Sequence, residues 1–92
     1  MTTKFGCLAD YPRVPLSILP TAIEPAPRLS AEFGLELFIK RDDLTGLAFG
    51  GNKTRQLEFY FGAAREEGAD TIVITGAVQS NYVRVAAAAA AR

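Results

Sequence analysis

The second part of the sequence alternates strand-like and helix-like segments, and this order constrains the fold more than any other feature. Residues 35–41, LELFIKR, alternate apolar and polar side chains as a strand does. Residues 52–67 repeat apolar side chains at helical spacing, and residues 71–75, TIVIT, form a β-branched run suited to a buried strand. A last helix is predicted from Asn81 onward. The order strand, helix, strand, helix predicts an α/β protein whose sheet is at least partly parallel.

The helix predicted over residues 52–67 has a clear apolar face. Its apolar positions follow the spacing i, i+3, i+4 and i+7: Leu57, Tyr60, Phe61, Ala64. Its charged positions lie elsewhere on the helix: Arg55, Glu58, Arg65, Glu66. Gly68 is expected to end the helix. The pattern therefore predicts that Tyr60 packs in the core and that Glu58 lies off the packed face.

The beginning of the chain is rich in proline. All five prolines fall within residues 1–27, where they fix backbone angles and remove amide donors, which predicts an extended segment. A short helix is expected from Ala26 to Phe33, with a proline in its first turn and Gly34 ending it. We interpret residues 1–34 as a lead-in with this short helix. Residues 35–92 then form an incomplete α/β region, because a lone parallel pair would leave apolar edges open.

The composition argues against several classes of function. Ten basic and ten acidic residues balance, so no net field attracts the chain to nucleic acid or to an anionic membrane. The absence of histidine removes the commonest general base and the commonest metal ligand. Asp42 and Asp43 have no further ligand candidates around them, so solvated or capping roles are expected and no metal site is. Small neutral or zwitterionic partners are favoured.

The single cysteine and the N-terminal residues favour a reducing compartment. Cys7 has no second cysteine with which to form a disulfide or a zinc pair. Residues 1–20 lack the apolar core of a signal peptide. No stretch approaches the ~20 apolar residues that a membrane span needs. We expect a soluble, cytoplasmic protein.

Residues 50–54, GGNKT, are the first candidate site. Two glycines allow backbone angles that other residues resist, and they let the backbone approach a planar ligand. Lys53 is expected in the first turn of the helix, where the positive end of the helix dipole favours the neutral amine. A partly neutral lysine suits Schiff-base chemistry. On these residues alone, an ordinary surface lysine beside a turn is the commoner case.

A phosphate-binding loop is the nearest rival interpretation of this segment. Gly46, Gly51, Lys53 and Thr54 nearly match the pattern G-x-x-x-x-G-K-[ST]. Asn52 stands between the second glycine and the lysine, which displaces the lysine by one position. The nucleotide-binding hypothesis is therefore weaker, but it stays open.

Residues 76–81, GAVQSN, are the second candidate site, between the predicted strand 71–75 and the last helix. Amides at a helix N-terminus can bind an anion such as a carboxylate, and Ser80 and Asn81 add polar side chains beside them. Ser80 is equally suited to be an ordinary N-cap. Two glycine-bearing turns that each precede a helix favour a ligand crevice, as in other α/β sheets.

The two motifs together carry a family resemblance. Residues 38–59, FIKRDDLTGLAFGGNKTRQLEF, and residues 66–84, EEGADTIVITGAVQSNYVR, closely resemble the D-cysteine desulfhydrase and 1-aminocyclopropane-1-carboxylate deaminase family of pyridoxal-phosphate enzymes. The resemblance covers most of the chain from about residue 20 onward. It implies the N-terminal part of a tryptophan synthase β-like fold, known as fold type II, with an open twisted sheet and flanking helices.

The resemblance also implies roles for individual residues. Lys53 would hold pyridoxal 5'-phosphate as a Schiff base and later move protons at the α-carbon of the substrate. Asn81 and Asn52 would contact the cofactor, Asn81 beside its phenolic oxygen. Ser80, Asn81 and Tyr82 would receive the carboxylate of a small amino-acid substrate, and Ser80 is also a catalytic candidate. Tyr82 departs from the family, in which histidine or glutamine is usual at this position, so the resemblance does not fix the substrate.

The activity implied is the β-elimination of D-cysteine or a related amino acid to pyruvate, ammonia and sulfide, by a homodimer or larger homo-oligomer. The alternatives are a 1-aminocyclopropane-1-carboxylate deaminase-like reaction, a P-loop-like nucleotide-binding module and an inactive truncated remnant. Family members have a few hundred residues, and their glycine-rich phosphate-binding loop comes later than the 92 residues of this chain. We therefore interpret the chain as an N-terminal fragment and expect it to be inactive alone.

Overall fold

The computed structural model describes residues 6–92, in which three α-helices and a small sheet form the regular structure. The elements in chain order are β1 (Ile23–Pro25), α1 (Pro27–Phe33), β2 (Phe38–Lys40), α2 (Lys53–Glu66) and α3 (Asn81–Ala90). A short 3₁₀ turn, Gly6–Asp10, and a tight non-helical turn, Leu47–Phe49, add to these. The three predicted helices are confirmed to within a residue or two at each end.

The helix α1 ends as predicted, and the way it ends shortens the strand that follows. Gly34 takes the left-handed conformation with φ 67°, and its amide donates to the carbonyl of Ser30. The Ser30 hydroxyl then accepts a hydrogen bond of 2.9 Å from the amide of Leu37. Because this turn holds residues 35–37, the strand begins only at Phe38. The predicted strand over residues 35–41 is therefore correct for its second half and wrong for its first.

The sheet of the described residues is an antiparallel pair. β1 runs against β2, with Ile23 opposite Lys40 and Pro25 opposite Phe38. The proline-rich composition of residues 1–27 did not predict a strand at β1, and the parallel pairing expected for the strands at 35–41 and 71–75 does not occur among residues 6–92. Proline is tolerated here because both strands of a two-stranded sheet are edge strands. The amides on the outer side of an edge strand need no hydrogen-bond partner in the sheet.

The strand predicted over residues 71–75 does not form. This segment is irregular in the described structure, and Val73 is 86% exposed. A β-branched run becomes a strand only when a neighbouring strand accepts its hydrogen bonds, and no other strand pairs with it among residues 6–92. Sequence propensity alone was therefore misleading at this position.

A small core lies between α2, α3 and the N-terminal segment. Its fully packed apolar residues are Leu16, Leu57, Val85, Ala86 and Ala89. The alanines of α3 pack against α2 through Ala86 and Ala89, because small side chains let two helices approach closely. Many large apolar side chains remain exposed, and the radius of gyration is 16.1 Å. A compact chain of this length would have a radius of about 12 Å, so much of the apolar surface is not covered within these residues.

The segment from Pro12 to Thr21 crosses α2 and is fixed by Glu58, a residue predicted to lie off the packed face. Glu58 is 1% exposed, and its carboxylate accepts from the amides of Leu16 at 2.8 Å and Ser17 at 2.9 Å. Arg13 adds an ion pair at 2.6 Å. Burial would raise the pKa of Glu58, but the two amides and the guanidinium outweigh burial and lower it.

The predicted packing of Tyr60 in the core is wrong. Tyr60 is 55% exposed, and its hydroxyl accepts a hydrogen bond of 3.2 Å from Gln56. The buried face of α2 is rotated toward Glu58 relative to the predicted apolar face, because the N-terminal segment covers that side of the helix. Tyr60 is thus left at the margin of the packed face.

Asp42 joins the N-terminal segment to α2 through a polar cluster. Its carboxylate pairs with Arg55 at 2.7 Å and accepts from the Thr21 hydroxyl at 2.6 Å. The neighbouring Asp43 is exposed and pairs with Arg41. Asp42 therefore has a structural partner, while Asp43 is largely solvated, as expected for such loop carboxylates.

We expect acid to weaken this cluster over a defined pH range. Hydrogen bonds from Arg55 and Thr21 lower the pKa of Asp42 from 3.8 to about 2. Because the folded-state pKa is depressed, the stabilisation is complete above the unfolded pKa and is lost as the pH falls through about 2. Asp42→Asn should lower the free energy of unfolding by about 1 kcal/mol at pH 7, as for a partly exposed ion pair, and by almost nothing below pH 2. Denaturant unfolding at both pH values checks this. Asp70→Asn is the control, and an equal loss for Asp42→Asn at both pH values would contradict it.

Candidate active site

The loop between β2 and α2 contains a run of positive φ angles. Ala48, Phe49, Gly50 and Gly51 have φ of 47°, 71°, 76° and 134°. Such angles are uncommon for residues with a side chain. A Cβ at Gly50 would collide with the carbonyl oxygen of Asp43, so only glycine fits there. The expectation that the glycine pair supplies angles closed to other residues is confirmed.

The hydroxyl of Thr45 fixes the second glycine. It accepts from the Gly51 amide at 2.9 Å and donates to the Gly51 carbonyl at 2.7 Å. The Thr54 hydroxyl lies 3.1 Å from it, and both threonine side chains are fully buried. One hydroxyl thus holds both backbone groups of Gly51, which gives the turn before α2 a defined shape.

Lys53 lies in the first turn of α2, as predicted, as the first residue of that helix, and it is half-buried. None of the ion pairs among residues 6–92 involves Lys53. Asn52 precedes it in the N-cap position, but the Asn52 side chain makes no capping hydrogen bond. The amine of Lys53 and the carboxamide of Asn52 are therefore both free of partners that would compete with a ligand in this part of the chain.

The second candidate site forms the N-terminus of α3. Ser80 is the N-cap, and its hydroxyl oxygen accepts from the amide of Tyr82 at 3.2 Å. Asn81 is the first helical residue, and both Asn81 and Tyr82 are half-buried. The predicted cap is confirmed, and the Tyr82 amide is engaged in it. The Ser80 hydroxyl proton and the Asn81 carboxamide remain as hydrogen-bonding groups of this turn.

The fold brings the two candidate sites together at Gly51 and Asn81. A Cβ placed on Gly51 would lie 2.6 Å from Nδ2 of Asn81, so the carboxamide packs directly on the glycine backbone. Lys53 follows Gly51 by two residues and begins the adjacent helix. The motifs GGNK and QSN, which residues 54–78 separate in the sequence, therefore meet at this contact, and the surface beside it is the candidate crevice.

Two polar residues that shape this crevice were not singled out from the sequence. No pattern in the sequence identifies Thr45, because its hydrogen bonds to Gly51 depend on the conformation of the loop. Arg84 donates to the carbonyls of Ala48 at 2.8 Å and Gly50 at 3.1 Å. Its spacing of three residues from Asn81 places both on one side of α3, and this spacing is the signal that could have identified it.

An open apolar groove of about 190 Å³ borders the same helix N-terminus. Tyr82 lines it together with Leu57 and Phe61 of α2 and residues 72–74. Tyr82 thus contributes its ring to an apolar surface and not only to the polar turn. Among residues 6–92, no cluster of three or more candidate metal ligands occurs. None of the helices in that range is both long and apolar enough to cross a bilayer.

Comparison with known protein families accounts for the paired motifs. Residues 14–92 match the family profile described as pyridoxal-phosphate-dependent enzyme. The chain belongs to this family. The cofactor named from the resemblance is thereby confirmed as that of the family, and the match includes both GGNK and QSN.

Individual relatives agree with the narrower resemblance. A D-cysteine desulfhydrase of Klebsiella pneumoniae subsp. pneumoniae is 55% identical over 85 residues, and one of Salmonella newport is 53% identical over the same length. These alignments cover 92% of this chain and 26% of each relative. A solved structure described as an ACC deaminase homologue superposes with a TM-score of 0.85 at 48% identity, again over 92% of this chain and 26% of that one.

These matches confirm the fold class. The chain has the α/β fold of the N-terminal part of a fold type II pyridoxal-phosphate enzyme, although the described residues contain only an antiparallel pair of strands. The chain spans about a quarter of the length of the curated relatives that it matches.

Proposed function

We propose that this chain provides the lysine-bearing part of a pyridoxal-phosphate-dependent lyase that acts on D-cysteine or a related small amino acid. The contact between Gly51 and Asn81 carries the proposal, because it places the amine-bearing turn beside the polar N-terminus of α3. The relatives named D-cysteine desulfhydrase support the choice of substrate class.

The residues of the crevice fit the cofactor. Lys53 offers a primary amine that forms no ion pair among the described residues, and it begins α2 directly after the turn that contacts Asn81. When bound, the cofactor supplies an aldehyde that condenses with a primary amine and a ring that accepts electrons from the substrate. Lys53 would hold the cofactor and move the proton at the substrate α-carbon.

The roles proposed for the other residues follow from their positions around the crevice. Asn81 and Asn52 would donate hydrogen bonds to the cofactor from the two sides of the crevice. Ser80, with its hydroxyl proton free, would receive the substrate carboxylate together with Asn81 and assist catalysis there. Tyr82 would border the substrate with its ring, since it lines the apolar groove.

We further propose that residues 35–92 bind the cofactor only together with further protein, and that residues 1–34 act as a lead-in. The exposed apolar side chains and the radius of gyration of 16.1 Å support this, because a surface of this kind is normally covered. The whole enzyme would be a cytoplasmic homodimer or larger oligomer. The 92 residues alone would catalyse no turnover.

The test uses a chimera in which this chain replaces the matching quarter of the Klebsiella pneumoniae D-cysteine desulfhydrase. We expect borohydride reduction in the presence of pyridoxal phosphate to place the covalent adduct on Lys53. Peptide mass spectrometry checks this, and the chain offers an internal control because it has only three lysines, at positions 4, 40 and 53. Lys40 is exposed and donates to the Thr21 carbonyl at 2.6 Å.

The outcomes separate the hypotheses. An adduct on Lys53 with sulfide release from D-cysteine supports the lyase, whereas release of ammonia from 1-aminocyclopropane-1-carboxylate in its place would favour the deaminase-like reaction. If the adduct formed on Lys40 and Lys53 alike, the cofactor would react with lysines non-selectively, and this would contradict the role of Lys53. Magnesium-dependent binding of ATP without cofactor binding would favour a nucleotide module.

A further inference from the structure

Arg84 connects the two halves of the crevice. It lies in the first turns of α3, and its Nε donates to the Ala48 carbonyl at 2.8 Å while its Nη2 donates to the Gly50 carbonyl at 3.1 Å. Such bonds from a charged donor are about twice as strong as neutral ones. The planar guanidinium presents both donors in one fixed geometry, which lysine cannot reproduce.

The two carbonyls belong to the part of the loop with unusual backbone angles. Ala48, Phe49 and Gly50 all have positive φ, which directs their carbonyls differently from those of an ordinary turn. Among the described residues, Arg84 is the partner that these two carbonyls have outside their own loop. The guanidinium therefore stabilises a loop conformation that two of its residues do not favour.

The contacts of Arg84 and of Asn81 join the same two parts of the fold, α3 and the loop before α2. Asn81 precedes Arg84 by three residues, so both side chains lie on one side of α3. Gly50 and Gly51 are consecutive, and they meet Arg84 and Asn81 respectively. Thr45 already fixes the backbone of Gly51 from within the loop. What Arg84 adds is the placement of α3, and with it Asn81, relative to the turn that carries Lys53.

We propose that Arg84 is a positioning residue that holds Asn81 at a fixed place relative to Lys53, and this inference rests on the proposed function. Two of its five N–H donors are engaged by backbone carbonyls of the loop, and the role proposed for it acts through that loop. A displacement of about 1 Å between reacting groups can cost on the order of 10²-fold in rate. The loss of Arg84 should therefore reduce turnover more than substrate affinity.

The experiment compares Arg84→Met and Arg84→Lys in the same chimera, saturated with pyridoxal phosphate. Methionine keeps much of the side-chain length without donors, and lysine keeps the charge without the planar fork. We expect Arg84→Met to lower kcat by about 10- to 100-fold, with KM for D-cysteine changed by less than about 3-fold and the absorbance of the bound cofactor altered. Arg84→Lys should recover part of this loss. Arg65→Met is the matched control, because Arg65 is exposed in the last turn of α2.

Each other outcome overturns the inference. Unchanged kcat in Arg84→Met would show that the contacts have no functional effect. A rise in KM with kcat unchanged would indicate direct binding of the substrate carboxylate. Full activity in Arg84→Lys would overturn it even if Arg84→Met failed to fold. If the unsubstituted chimera forms no adduct on Lys53, the proposed function fails instead, which keeps the two failures distinguishable.

Discussion

Lys53→Ala is expected to abolish sulfide release by the chimera while leaving its folded structure intact. The substitution removes the only amine at the N-terminus of α2 among the described residues, and alanine is well tolerated at a helix start. The size of the effect follows from the two roles proposed for Lys53: loss of a proton-transferring group typically costs about 10²- to 10⁴-fold, and loss of the covalent anchor adds to this. Steady-state sulfide release from D-cysteine measures the effect, and the yellow colour of the bound cofactor should fade with it.

Lys40→Ala is the control for this prediction. Lys40 lies at the end of β2, and its amine is engaged with the Thr21 carbonyl. Its removal should leave kcat within about 2-fold, as for substitutions away from a site. Survival of both the colour and the elimination activity in Lys53→Ala would contradict the assignment of Lys53, whatever the behaviour of Lys40→Ala.

The sequence predicted the helices and the turns that precede α2 and α3, because the signals for both are local. A lysine that follows two glycines at the start of an amphipathic helix identified residues 50–53, and Ser80 as N-cap identified the start of α3. Each helix boundary depends on a few consecutive residues. The contact between Gly51 and Asn81 joins two turns that are distant in sequence. Only the structure therefore shows it.

The predictions that were wrong concern contacts distant in sequence. Glu58 was placed off the packed face because a charged side chain marks the solvent side of a helix, yet the amides of Leu16 and Ser17 reach it across more than 40 positions. Residues 71–75 have strand propensity but no pairing strand in the described part of the chain. Helical periodicity records which residues are apolar, and it does not show which segment covers them.

Glu58→Ala is expected to release the N-terminal segment from α2. The substitution leaves the amides of Leu16 and Ser17 without their acceptor, and Leu16 belongs to the buried core. Breaking a buried, hydrogen-bonded charge pair costs roughly 3–5 kcal/mol, although the partial exposure of Arg13 places the expected loss at the lower end of that range. In hydrogen exchange on the chimera, the peptide covering residues 13–18 should exchange at least about 10²-fold faster.

Glu66→Ala separates this effect from a general loss of α2. Glu66 is the last residue of the same helix and is exposed, so its removal should change stability by less than about 0.5 kcal/mol. Because the Ile18 amide donates to the Thr45 carbonyl at 2.9 Å, release of the segment also loosens the loop that holds Gly51. Glu58→Ala should therefore lower the yield of the Lys53 adduct although Glu58 touches neither motif. Faster exchange in residues 13–18 with an unchanged adduct yield would show that the segment and the crevice are independent, and unchanged exchange would show that Glu58 does not anchor the segment.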